Sequence, residues 1–360
     1  MFFTLTLLNL FFLVILLLIF VGLMAINFRP AYKDQVFGAF GENVLVILPC
    51  KGKDVTLYEN INSLLEQDYP NYRILAVVDS ISDPAMQAIR DLKIDYLVSK
   101  TECEHCSGKV RAIASAIEKF PDVPVYVVAD SDVTFPKQWL TNLVRPLGSH
   151  EIGVSTTFPH FEPTGGIWSR IKSVWGLVGI GLMQSRLTRF VWGGSMCFRR
   201  DLLNPEDIEY FKKHISDDVA IMRIARKKGL DICYVQSAAP MINSPDDYRT
   251  FREWSNRQTA LSISASRSIL RYGILFYSSE IILLIGGIVF SFFFTPIFLF
   301  LLAPYLLFAY RNVQNHHNGG LYVFLIALII PFISMSNLIR AAGMDVIQWR
   351  GSEYDLTKQP

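Results

Sequence analysis

Residues 125–132 read VYVVADSD, an unbroken apolar, β-branched run that stops at Asp130-Ser131-Asp132. A short run of this kind, bounded by turn-forming residues, predicts a strand buried on both faces. The same pattern occurs upstream: Ile74 to Val78 ends at Asp79, and Val44 to Leu48 runs into Pro49. Helical stretches lie between the runs. Leu57, Ile61, Leu64 and Leu65 recur on one helical face, as do Val110, Ile113, Ala114 and Ile117, and residues 96–98 read as a further short strand. Strands alternating with amphipathic helices predict an α/β domain on a mostly parallel sheet. Ligands bind such sheets beyond the carboxyl ends of the strands, so Asp79 and Asp130 are expected to face one cleft.

Charge is unevenly distributed around this domain. Of 34 basic and 32 acidic side chains, only four of each lie outside residues 29–271. The middle of the chain is water-like and its ends are membrane-like. A formal net charge of +2 argues against nucleic acid as a partner, because neutralising phosphates needs a concentrated basic excess. The 51% hydrophobic composition excludes a disordered or collagenous chain. Five cysteines, an odd number, point to a reducing compartment.

Residues 1–28 carry no charge and are rich in Leu, Phe and Ile, long enough to span a bilayer. They lack the basic start and small-residue cleavage site of a signal peptide, so they read as an uncleaved anchor. Arg29 and Lys33 follow directly, which places residues 29–271 in the cytosol by the positive-inside rule. Residues 272–339 are again apolar. They divide most simply into a helical hairpin turning near Thr295 and Pro296 and a last run from Leu321 to Leu338, four spans in total. Four spans put the tail, residues 340–360, outside the cell and three keep it in the cytosol; its balanced charges do not decide. Glu280 within a span is expected to pair inside the bundle or sit near the interface. The stripe of Ile167, Trp168, Ile171, Val174, Trp175 and Val178, with Arg170 and Lys172 beside it, fits a surface-lying membrane helix or a buried one equally well.

The chemistry concentrates in acidic residues. Two carboxylates two residues apart after a strand, Asp130 and Asp132, suit a hard divalent cation, Mg²⁺ or Mn²⁺, whose other oxygens come from substrate phosphates. An isolated Asp-Ser-Asp is otherwise a polar turn. Asp79, at the end of a neighbouring strand, is placed to accept hydrogen bonds from a base or ribose. Asp217 and Asp218 open an amphipathic helix closed by Gly229, with Ser216 as its expected cap. Acidic residues favour helix starts for structural reasons alone; a catalytic reading makes one of them a general base. Cys103, His105 and Cys106 lack a second pair at zinc-site spacing and fit a polar loop better than a metal site. His316-His317 reads as interfacial polarity, and His150, His160 and His214 belong to no motif.

The order of these features resembles family 2 and family 21 glycosyltransferases, particularly ceramide glucosyltransferases. The stretch LPCKGKDVTLYENINSLLEQDYPNYRILAVVDSISDP, residues 48–84, is similar to the opening of those enzymes. On this resemblance Asp79 matches their first aspartate, Asp130-Ser131-Asp132 their DxD, and Asp217-Asp218 their acidic pair, whose second member is the base. Pro49, Lys51, Lys109 and Ser131 fall in donor-binding positions, and Gly193-Gly194-Ser195 where the acceptor binds. Trp349-Arg350-Gly351 with Tyr354 is similar to a membrane-proximal signature. The family's Q/RxxRW motif is altered here to Trp254-Ser255-Asn256-Arg257-Gln258. Arg257 keeps the arginine that would stabilise the departing diphosphate, while Trp254 and Gln258 replace the flanking residues at the donor.

The resemblance implies a GT-A (Rossmann-like) cytosolic domain between N-terminal and C-terminal transmembrane helices, and an inverting hexosyltransferase. Its donor is a nucleotide-sugar, a UDP-sugar first, and its acceptor a membrane lipid presented by the bilayer. A processive polysaccharide synthase needs more spans and an intact Q/RxxRW motif. A non-catalytic membrane scaffold has no reason to keep all three acidic sites.

Overall fold

A computed structural model of the chain describes residues 2–52, 54–103, 105–349 and 351–358, residues 2–9 by backbone alone. The strands are β1 (Val44–Cys50), β2 (Tyr72–Val78), β3 (Asp95–Val98), β4 (Val125–Ala129), β5 (Ile152–Thr156), β6 (His160–Pro163), β7 (Ser195–Arg199), β8 (Asp231–Tyr234) and β9 (Met241–Ser244). Among the described residues, seven of them form one sheet in the order β3-β2-β1-β4-β7-β5-β8. Strands β1, β2, β3 and β4 are mutually parallel, and β7 runs antiparallel to both β4 and β5. The sheet is therefore mixed, and β6 and β9 form a separate parallel pair.

The apolar runs alternate between two cores. Val44, Val46 and Leu48 of β1 join one cluster with Leu57, Ile61 and Leu64 of helix Leu57–Leu65 and with Trp139, Leu140 and Leu143. Leu45 and Ile47, pointing the other way, pack with Val110, Ile113 and Ile117 of helix Gly108–Lys119 and with Ile221 and Ile224 of helix Asp217–Lys227. Period-two alternation within uniformly apolar strands thus covers both sheet faces with helices. Leu65 departs from the expected face, at 45% exposed, and the buried polar Asn60 takes part in its place.

Two compact units interleave along the chain. A sheet unit comprises Lys33–Thr164, Val178–Pro245 and Asp345–Pro360; a helix unit comprises Met1–Tyr32, Gly165–Leu177 and Asp246–Met344. The tail hairpin of β10 (Val346–Trp349) and β11 (Ser352–Asp355), turning at Gly351 with φ +79°, belongs to the sheet unit, and Arg350 lies outside the described residues.

In the helix unit, the segments Leu10–Asn27, Arg267–Phe293 and Pro296–Asn315 are each long and apolar enough to cross a membrane. The break between the latter two falls at Thr295 and Pro296, as expected, with the Thr295 hydroxyl accepting from the Ile297 amide. The last apolar run is two short helices, Leu321–Ala327 and Ile330–Ala341, bent by 44°. Pro331, in the first turn of the second, removes a donor where the chain bends. Glu280 is fully buried and accepts a hydrogen bond from Asn27 Nδ2 at 3.1 Å, so it is paired inside the bundle.

Helix Ile167–Met183 takes the buried of its two readings over most of its length. Ile171 and Val174 are buried and Ile167 is exposed. Lys172, also buried, pairs with Asp246 at 2.8 Å.

Candidate active site

The site begins with strand direction. Because β1, β2 and β4 are parallel, Lys51, Asp79 and Asp130, each just past a strand end, share one edge of the sheet. Strand β7 enters from that same edge because it is antiparallel, and Ser195 pairs with Ala129. The Asp130 amide consequently donates to the Gly194 carbonyl at 3.1 Å.

The amino end of helix Gly108–Lys119 sits among these ends. Ser107 caps it, accepting from the Val110 amide at 3.2 Å. Its first turn holds no acid and two cations, Lys109 and Arg111, against the preference of the helix dipole. Each cation is met by a carboxylate from the sheet edge, and together they define two ion-paired nodes.

The first node is buried. Lys109 Nζ lies 2.6 Å from Asp130 Oδ1 and 3.4 Å from Asp217 Oδ2, with the Lys109 side chain only 12% exposed. Burial disfavours its ammonium, but Asp130, Asp217 and, more weakly, Asp218 outweigh that and hold its pKa above the ordinary lysine value. Asp217 is buried too, and burial pushes its carboxyl up to about 7; Lys109 opposes the rise while Asp218 and Asp130 add to it. Asp130 is the closer partner of the ammonium. The second node is more open. Asp79 Oδ1 meets Arg111 at 2.7 Å and its Oδ2 lies 3.8 Å from Lys51.

Asp218 is held differently from its neighbour. Its carboxylate accepts from the Gly193 amide at 3.1 Å, from the Val219 amide at 2.7 Å and from the Ser216 hydroxyl. Ser216 occupies the N-cap position as expected, but its hydroxyl orients Asp218 instead of bonding a helix amide. Asp218 remains partly exposed where Asp217 is buried.

The donor set fits a divalent cation. Asp217 Oδ2 is buried without a hydrogen-bond donor, and the Asp130, Asp217 and Asp218 carboxyls gather around a single ammonium. Among the described residues no three His, Cys, Asp or Glu side chains form a ready-made shell.

The sequence matches glycosyl transferase family 21 over residues 10–360. The chain belongs to that family. Its fold is similar to that of a mannosyltransferase from Pyrobaculum calidifontis, solved in complex with GDP-Man and Mn²⁺: the TM-score is 0.54 at 17% identity, covering 91% of this chain and 93% of that one. A glucosyl-3-phosphoglycerate synthase from Mycobacterium tuberculosis, solved with Mn²⁺, UDP and its product, aligns at a TM-score of 0.44 and 14% identity over 62% of this chain and 80% of its own.

Not every expected site residue of this family 21 glycosyltransferase offers a free side chain. Ser195 is fully buried on β7, and its hydroxyl accepts from Trp139 Nε1 at 2.7 Å. The Ser195 side chain therefore faces the core rather than solvent. Gly193 and Gly194 act through backbone, the first on Asp218 and the second on Asp130. Ser131 is buried, its hydroxyl turned to Asp54 at 3.3 Å, and Pro49 is half-buried in β1. Asp132, at the end of the turn, is partly exposed.

Trp254, Arg257 and Gln258 lie on helix Tyr248–Ala265 of the helix unit. The Trp254 ring packs 5.1 Å from that of Trp175, with Lys172 Nζ 4.5 Å from its centroid, a cation–π contact.

Several positioning residues escaped the sequence reading. Asn60 donates to the Ser131 carbonyl at 2.9 Å and accepts from Thr134 Oγ1 at 2.7 Å, which fixes the Asp-Ser-Asp turn. Its signal was a polar residue inside an apolar helical stripe. Asp83 accepts from the Gly52 amide at 3.0 Å, holding the loop after β1 where Gly52 has φ +76°. Arg111 was signalled by a second cation in a helix's first turn. Cys103 and Cys106 lie side by side in a loop, as expected, while Cys50, Cys197 and Cys233 are free and buried.

Proposed function

We propose that this glycosyltransferase moves a sugar from a nucleoside-diphosphate sugar, a UDP-sugar first, to a lipid hydroxyl at the cytosolic leaflet, with inversion. The observation that carries the reading is the convergence of Asp130, Asp217 and Lys109 beside a separately anchored, partly exposed Asp218. Asp130 and Asp132 would hold Mg²⁺ or Mn²⁺. When bound, the ion supplies a Lewis acid that neutralises charge on the diphosphate.

The chain's own residues supply the rest. Asp218, fixed by three donors, takes the proton from the acceptor hydroxyl as it attacks the anomeric carbon. Asp79, held by Arg111, positions the nucleoside, with Pro49 and Lys51 at the adjoining strand end. Lys109 offsets charge on the leaving diphosphate. Gly193 and Gly194 line the acceptor side through their backbone.

Membrane placement rests on three apolar helices and the cations after the first of them. The tail hairpin groups with the sheet unit, which supports a cytosolic tail and a bent final helix pair that enters and leaves on one side. In sealed vesicles, an epitope after Asp355 should then be digested from the same side as the sheet unit; digestion from opposite sides overturns three crossings.

The test of activity is to incubate purified protein and acceptor lipids with labelled UDP-sugars and GDP-mannose, with and without chelator. Metal-dependent label in the lipid extract, one sugar per acceptor, supports the reading. Long polymeric product would indicate a processive synthase, and no release of nucleoside diphosphate from any donor would indicate a scaffold.

A further inference from the structure

Lys109 stands where two demands meet. Its ammonium is 2.6 Å from Asp130, a carboxylate assigned above to a divalent cation, and 3.4 Å from Asp217. A lysine serving only the donor's phosphates would point at the open cleft. This one points into the protein, 12% exposed, against two acids from different elements. It stands in the first turn of a helix capped by Ser107, so its backbone position is fixed by the fold.

We propose that Lys109 is an internal placeholder for the divalent cation: it clamps Asp130 to Asp217 in the donor-free enzyme and gives up Asp130 when metal and nucleotide-sugar bind. The inference rests on the metal-dependent reading given above. Two reasons favour exchange over simple coexistence. A divalent ion within a few ångströms of a buried ammonium is repelled with little solvent to screen it. The incoming diphosphate offers the ammonium new anionic oxygens, so the total of charge-assisted contacts is conserved across the exchange. Asp217, whose Oδ2 has no other hydrogen-bond donor, keeps the ammonium near the site meanwhile. Lys109 is thus a positioning residue in the free enzyme and a phosphate contact in the loaded one. Metal alone is expected to bind weakly, and metal with nucleoside diphosphate cooperatively.

Mn²⁺ alone, titrated into the full-length purified protein by calorimetry or electron paramagnetic resonance, provides a readout separate from turnover. Lys109→Met removes the competing charge and should tighten Mn²⁺ binding about tenfold or more. It should also weaken UDP binding in the presence of Mn²⁺ and abolish most of the cooperativity. Lys109→Arg, whose planar fork holds two carboxylates more firmly, should weaken Mn²⁺ binding. Opposite signs for the two variants support the proposal. Mn²⁺ affinity that is unchanged or lower in Lys109→Met, or preserved in Lys109→Arg, overturns it and leaves the transferase assignment standing. If Lys109→Met does not fold, Lys109→Arg alone decides. Absence of Mn²⁺ and Mg²⁺ binding in the wild-type protein, with or without UDP, overturns both this inference and the metal-dependent reading.

Discussion

The two nodes at the start of helix Gly108–Lys119 use the same chemistry in different solvents. At one, Lys109 is buried between Asp130 and Asp217; at the other, Asp79 and its partners Arg111 and Lys51 are 32%, 39% and 44% exposed. Water screens the second and leaves its side chains free to follow a ligand. The first is drier at Lys109 and Asp217, 12% and 5% exposed, with Asp130 at 28%, so a change of charge or volume beside Asp217 is felt more fully. A recognition contact can be left open to solvent, whereas the groups that align a reaction are fixed by burial.

The largest expected effect lies beside the buried node. Asp218→Asn keeps the size of the side chain and removes the base, so kcat should fall by about 10²–10⁴-fold with donor binding retained. Turnover within a few-fold of wild type would remove Asp218 from the chemistry.

A matched glycine pair tests rigidity directly. A Cβ at Gly193 would stand 2.6 Å from Asp217 Oδ2, and Asp217 has no room to retreat. Gly193→Ala should therefore cost about 1–3 kcal/mol in denaturant melts, together with most activity. A Cβ at Gly108 would stand 3.9 Å from Asp79 Oδ2, an ordinary contact, and Gly108→Ala should stay within about 1 kcal/mol of wild type. Equal costs for the two would abolish the contrast between the nodes.

At the open node, Asp79→Asn should change stability by less than about 1 kcal/mol. It should raise the KM for the donor more than it lowers kcat. A stability loss as large as that of Gly193→Ala would mean the node is rigid after all.

The smallest effect is expected at a buried histidine outside both nodes. His214 is buried, with Nδ1 2.9 Å from the Tyr210 carbonyl and Arg223 nearby; burial, opposed by that bond and helped by Arg223, lowers its pKa. The unfolded chain therefore takes up this proton first as pH falls. Stability should be undiminished above the ordinary histidine pKa and decline as pH drops below it. Urea melts at several pH values should show this slope reduced in His214→Gln; an identical slope removes His214 as its source.

Asp79, Asp130 and the acidic pair were legible as candidates because buried parallel strands have a strong composition signal and their carboxyl ends share an edge. Pairing inside the site was not legible. Lys109 could equally have faced a ligand, and the partners of the Ser195 and Ser216 hydroxyls could not be read. A sequence lists which polar groups exist but not which partner each finds, and partners are chosen by packing.

The chain's linear pattern was sufficient for the alternating strands and helices, the apolar terminal segments and the acids at the strand ends, because each follows from local periodicity and the cost of burying unpaired polar groups. Folding in three dimensions settled the antiparallel β7, the bend before Ile330, the seat of Trp254 against Lys172, and which of Asp217 and Asp218 is exposed. These depend on contacts between residues far apart in the chain, where burial and charge are set jointly by several elements and no single segment carries the information.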